Sequence, residues 1–147
     1  MQQDMKNNQA EINMGKQNKI KEEAWEFYGR WRKTESYSPA LKTKIRVSLK
    51  GWRHISGATG SKKRALSDIH RRFKLLPKAK EIIETSTTIQ NVTKKGKNIF
   101  YALEAMVMVE ENNKKELRKV RVILVEDIKG NKIFYSVMDK KQKNKDK

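Results

Sequence analysis

Thr87-Thr88-Ile89-Gln90-Asn91-Val92-Thr93 opens a stretch in which apolar and polar residues alternate with period two, and the alternation persists to Met138. Lys94-Lys95-Gly96-Lys97, Asn112-Asn113 and Lys129-Gly130-Asn131 divide it into four runs, roughly 87–93, 98–110, 116–128 and 132–138. Alternation of this kind predicts half-buried strands, and turns this short join only antiparallel neighbours. The expectation is a four-stranded meander with one face against helices.

Before Thr87 the period is helical. Ile20, Ala24, Phe27 and Trp31 fall at spacings of 4, 3 and 4 and so share one helix face, which must dock or self-associate. Tyr37-Ser38-Pro39 breaks that pattern. Lys44 to Leu49 then alternates as a short strand with Ile45, Val47 and Leu49 on one side, and Lys50-Gly51 bends the chain. Ser61 is placed to cap a helix from Lys62 to Leu76, whose Ala65, Ile69, Phe73 and Leu76 form an apolar stripe. Pro77 starts a second short helix that buries Ala79, Ile82 and Ile83. Helices first and a meander second make an α+β domain, with N-terminal helices packed on a four-stranded antiparallel β-sheet. A polar extension with an amphipathic helix is expected at 1–40, the main domain at 41–139 and a basic disordered tail at 140–147; the Gln, Asn and Lys-rich first 19 residues should fray.

The chain has 147 residues, 35 Lys and Arg against 17 Asp and Glu, a net charge of +18 and no cysteine. Disulfide scaffolds and thiolate zinc sites are therefore excluded, and no run approaches the roughly 20 apolar residues of a membrane span. The N-terminal Met1-Gln2-Gln3-Asp4 has no apolar signal-like run, so a protein made in soluble form is expected. The charge is uneven. Basic and acidic residues number 9 and 6 in residues 1–44, 11 and 3 in 45–86, and 15 and 8 in 87–147. In the middle third Lys50, Arg53, Lys62, Lys63, Arg64, Arg71, Arg72 and Lys74 are opposed only by Asp68 before Glu81. A cluster like this is an electrostatic footprint for a polyanion, of which nucleic acid is the commonest.

Two histidines accompany that cluster. His54 follows the Lys50-Gly51-Trp52-Arg53 bend, and His70 lies at the edge of the apolar stripe of the basic helix. Histidine can take or give a proton near neutral pH, which cleavage of RNA through its own 2'-hydroxyl requires, together with cations around the phosphate. The plainer reading makes His54 a turn-capping residue, His70 a phosphate contact or surface group, and Trp52 a core anchor rather than a base-stacking platform. Acidic residues are too sparse for converging divalent-ion ligands, and Ser56-Gly57-Ala58-Thr59-Gly60-Ser61-Lys62-Lys63 does not have the spacing of a nucleotide-binding loop. No metal or other cofactor is expected.

The segment Ile45-Arg46-Val47-Ser48-Leu49-Lys50-Gly51-Trp52-Arg53-His54-Ile55, followed by a basic helix, a Pro-led helix and a meander, resembles the barnase/EndoU/colicin/RelE superfamily of small ribonucleases, phage-barnase type. The resemblance covers about residues 44–138. It implies a metal-independent, toxin-like endoribonuclease acting on tRNA or mRNA, with His54 as general acid or base, Lys50 as phosphate ligand and Ser136 donating a hydrogen bond to the phosphate. His70 is a further catalytic candidate; Arg53, Trp52, Lys62, Lys63, Arg64, Arg71, Arg72 and Arg121 are candidates for RNA binding. A toxic member would need an acidic immunity protein or antitoxin as partner. The alternatives are a non-catalytic basic nucleic-acid-binding protein of phage or mobile-element origin, and a particle protein assembling through the Ile20, Ala24, Phe27, Trp31 stripe.

Overall fold

The computed structural model describes residues 2–57, 65–111 and 113–141. The order of elements is α1 (Gln2–Thr34), β1 (Ser36–Ser38), β2 (Thr43–Ile45), α2 (Leu49–Ile55), α3 (Leu66–Thr85), β3 (Asn91–Lys95), β4 (Asn98–Glu111), β5 (Lys114–Glu126) and β6 (Lys132–Lys141). β3 to β6 form an antiparallel meander in chain order, and β1 and β2 a separate two-stranded ribbon. The α+β architecture is as expected. No described helix is long and apolar enough to cross a membrane.

One face of the meander makes the core. Leu103, Val120, Val122, Leu124, Phe134 and Val137 meet the α3 residues Phe73, Leu76, Ala79, Ile82 and Ile83, all buried. From α1, Ala24, Tyr28 and Trp31 enter the same core, and Ile20 and Phe27 pack against it. The expected frontier near residue 40 is therefore not a physical boundary: the second half of α1 belongs to the domain, with Ala24 and Trp31 of its apolar stripe buried and Ile20 and Phe27 partly so. The helix also begins at Gln2, where fraying was expected over the first 19 residues. Polar bonds fasten α1 at its end. Trp31 Nε1 donates to Ser36 Oγ at 2.8 Å, and Ser36 Oγ donates in turn to Glu84 Oε2 of α3 at 2.8 Å.

Three local readings change. The strand expected over Lys44 to Leu49 pairs with β1 only as far as Ile45; Arg46 then bridges in parallel to Ile133 of β6, through Arg46 N–H to the Lys132 carbonyl (2.8 Å) and Phe134 N–H to the Arg46 carbonyl (2.9 Å). What looked like a bend at Lys50-Gly51 is the first turn of α2, capped by Ser48 Oγ accepting from Lys50 N–H. Gly51 is needed there for close approach, because a Cβ would stand 2.5 Å from the Phe134 carbonyl oxygen and 2.7 Å from the Tyr28 hydroxyl. Pro77 does not divide α3, which is one helix of 20 residues. An interior proline forfeits one helical hydrogen bond and costs about 3 kcal/mol. Continuous burial of Phe73, Leu75 and Leu76 before it, and Ala79, Ile82 and Ile83 after it, offsets that cost. The expected cap Ser61 and Lys62 lie outside the described residues, as do residues 142–147 of the expected tail; α3 begins at Leu66, with the exposed Ala65 as its extended N-cap and not part of the apolar stripe, and Lys140 and Lys141 continue β6.

A β-bulge in β6 positions the site. Ser136 pairs with Ile123 and Phe134 with Leu124, so Tyr135 is an extra residue. Strict alternation would put Phe134, Ser136 and Met138 on one face. With the bulge, Phe134 enters the core while Ser136 and Met138 join the opposite face.

Candidate functional site

The register aligns Asn91 of β3, Ala102 of β4, Ile123 of β5 and Ser136 of β6 in one row across the face opposite the core. That row is the floor of a cavity of about 450 Å³. One wall comes from α2, which packs against β6. From its last turn the half-buried His54 imidazole lies on the Tyr135 ring, with centroids 4.1 Å apart and planes at 49°. Tyr135 meets Phe100 edge-on at 5.5 Å, and Lys95 Nζ lies 5.8 Å above the Phe100 ring. The bulge thus brings an aromatic ring under the histidine, which fixes the imidazole against the rim of the cavity.

Arg121 also lines the cavity. It stands opposite Glu104 on the neighbouring strand and donates from Nε to Glu104 Oε1 at 2.7 Å. Lys119 Nζ lies 3.7 Å from the other Glu104 oxygen. A charge-assisted bond through Nε holds the guanidinium plane while leaving its terminal amino groups as further donors.

Ser136 lines the cavity but is only 1% exposed. Its Oγ accepts a 2.7 Å hydrogen bond from Arg72 Nη1, and the same nitrogen reaches the Val137 carbonyl at 3.3 Å. Arg72 is itself held by Asp68 Oδ2 at 3.1 Å. Guanidinium has donors alone, so the hydroxyl must be the acceptor. Ser136 thus anchors Arg72 and brings a cation to the cavity floor, and a hydroxyl that accepts this bond still has its own proton to donate.

The other candidates are distributed as follows. Lys50 is exposed one turn before His54 on α2 and, like the exposed Arg53, is not part of the cavity wall. Trp52 stacks on Phe73 (4.9 Å, 12°) and meets Trp25 edge-on at 4.9 Å, so its ring packs between helices and is not presented to a base. His70 and Arg71 line a different cavity of about 320 Å³, bounded by Ile20 of α1, Leu75 of α3 and Val109 of β4. His70 is thus not brought together with His54. Lys62, Lys63 and Arg64 lie outside the described residues. Asn91, Thr93, Lys95, Phe100 and Tyr135 complete the first cavity, and sequence reasoning did not single them out. Among the described residues no cluster of three His, Asp or Glu side chains is arranged to hold a metal ion.

Burial holds the His70 pKa below the usual histidine value, and the charge of Lys74 lowers it further. The protonated form is thus disfavoured on folding, so the stability contributed by neutral His70 is present above the unfolded-state pKa and is lost as pH falls below it. A proton NMR titration should give His70 a midpoint below about 6.5. Lys74→Ala should move it upward without restoring the free value, since burial remains the larger cause; an unchanged midpoint would remove Lys74 from the account.

Searches of protein-family models, of curated proteins and of solved structures find no match to this chain.

Proposed function

We propose that the protein is a metal-independent endoribonuclease of the barnase-like kind, cleaving RNA by attack of a 2'-hydroxyl on the adjacent phosphodiester. The observation that carries this reading is the cavity on the sheet face opposite the core, where the half-buried His54 and Arg121 line the same space of about 450 Å³. Such a pair supplies what the reaction needs. As the 2'-oxygen attacks phosphorus its proton is removed, the P–O5' bond breaks, and the departing 5'-oxygen takes up a proton; His54, as general base or general acid, carries out one of these two proton transfers and water the other. Arg121, with Arg72 bonded to Ser136 of the floor and Lys95 also lining the cavity, offsets the negative charge that grows on the phosphoryl oxygens. The products are a 2',3'-cyclic phosphate and a 5'-hydroxyl.

The net charge of +18 supports an RNA substrate, tRNA or mRNA, because released counterions favour binding of a polyanion to a cationic surface. A toxin-like role follows from the same reading, with the cytoplasm as site of action. An acidic immunity protein or antitoxin would then be steered to the positive face by complementary charge.

Incubation with a tRNA pool in excess EDTA tests the proposal. Fragments ending in 2',3'-cyclic phosphate are expected. Intact RNA accompanied by salt-sensitive binding would overturn it in favour of the non-catalytic nucleic-acid-binding protein.

A further inference from the structure

The cavity of about 320 Å³ lies on the α3 side of the sheet, the face opposite to Arg121, and Ile20 of α1 closes it. Its interior and its mouth differ in character. Inside are Leu75, 2% exposed, and Asp139, which stands on β6 across from the core residue Val120; Val109 and Ile20 add apolar wall. At the mouth α3 presents Arg71, Lys74 and Lys78, spaced at i, i+3 and i+7 and hence on one helix face, with Arg71 and Lys74 exposed.

Asp139 brings an unsatisfied acceptor to this space. Its side chain is 1% exposed, and Oδ2 takes the Arg118 bond at 2.9 Å. Oδ1 lies toward Arg71, another residue of the wall, whose Nε at 3.8 Å is too far to donate. Among the described residues nothing hydrogen-bonds this oxygen. A buried acceptor left unpaired favours any entrant that can donate to it. The entrant should also be anionic, because Arg71, Lys74, Lys78 and Arg118 outnumber the carboxylates of Glu110 and Asp139. An ammonium donor would add to that positive excess, whereas a neutral N–H would not. From interior to mouth the cavity therefore calls for a neutral N–H, an apolar body and a terminal anion. A fatty acid or a bare phosphate would meet the cations and leave the Asp139 oxygen unpaired.

We propose that this cavity binds one nucleoside 5'-monophosphate, with a base N–H donated to Asp139 Oδ1, the ring against Leu75 and Val109, and the phosphate on Arg71, Lys74 and Lys78. The volume suits a single small molecule of this size. The site stands apart from the ribonuclease reading, whose cavity is on the other face of the sheet.

The chain's two histidines report on the two cavities separately, His70 lining this one and His54 the other. Adenosine 5'-monophosphate titrated into the full chain should shift the His70 ring protons in NMR spectra along a saturable curve. Inorganic phosphate and adenosine, each lacking one end of the ligand, should bind at least about tenfold more weakly. So should the N6,N6-dimethyl analogue of the nucleotide, which keeps ring and phosphate but has no base N–H to give. Lys74→Glu, at an exposed position, should weaken the nucleotide about tenfold with little change in melting temperature. A His70 signal that the nucleotide leaves unmoved, or a dimethyl analogue or inorganic phosphate that binds as tightly as the nucleotide, would overturn the proposal. A 5'-phosphorylated 2'-deoxy tetranucleotide, which 2'-hydroxyl chemistry cannot cleave, separates the two sources of this ligand. Tighter binding than the mononucleotide, read at His70, assigns the site to the end of a nucleic-acid strand; weaker binding assigns it to the free nucleotide.

Discussion

Replacing His54 by alanine is expected to lower the rate of RNA cleavage by about 10²- to 10⁴-fold, the range that a positioned general acid–base group supplies. Thermal stability should change far less. His54 is half-buried on the outer rim of α2, and the residues that hold this helix in place are its neighbours: Ile55 is fully buried, and Gly51 lies against the Phe134 backbone. Loss of the imidazole removes its contact with the Tyr135 ring, worth about 0.5–1.5 kcal/mol beyond area burial. Cleavage assays paired with thermal melts separate the two roles. A melting temperature lowered by many degrees, with activity reduced only in proportion to the unfolded fraction, would return His54 to a purely structural part. Tyr135→Phe offers a control, because it keeps the ring under the imidazole and should leave cleavage within a few-fold of the parent.

The architecture was legible because its signals are local. Period-two alternation marked the strands, and turns were marked by residues that adopt a left-handed backbone: Gly96 at φ 60°, Gly130 at φ 84° and Asn113 at φ 62°. His54 stood out as a histidine beside a cationic cluster. What the sequence did not disclose depends on pairing across the sheet. The Ile133-Phe134-Tyr135-Ser136-Val137-Met138 run contains no glycine or proline to announce a bulge, yet one extra residue there changes which side chains meet the core and turns Tyr135 toward His54. Asn91 and Ser136 stand 45 positions apart in the chain, and only the combined register of three strand pairs sets them in one row. Pro77 misled for a different reason: local propensity argued for a break, and burial on both sides of it decided otherwise.

Asp139→Ala should be among the most destabilising single changes in the domain, at about 3–5 kcal/mol, the cost of leaving a buried charge without its partner. Its side chain is 1% exposed and that of Arg118 only 8%, and Arg118 Nη1 donates to Asp139 Oδ2 at 2.9 Å. Arg118 keeps a second partner in Glu116 Oε2 at 3.0 Å, but that carboxylate is 34% exposed and thus weakened by solvent. Arg71 Nε stands 3.8 Å from Asp139 Oδ1, beyond hydrogen-bond range, so this oxygen is buried without a hydrogen-bond partner. The pair is consequently held at a cost of its own, and a double replacement distinguishes attraction from compensation. Arg118→Leu with Asp139→Leu should recover most of the loss, because matched removal of a buried ion pair is often neutral or stabilising. Chemical denaturation of the two single variants and the double variant forms the cycle. Additive losses would mean that Arg118 and Asp139 act separately, with Arg118 satisfied by Glu116 and Asp139 by Arg71; a large coupling would make this pair the electrostatic fastening between the edge strand β6 and its neighbour β5.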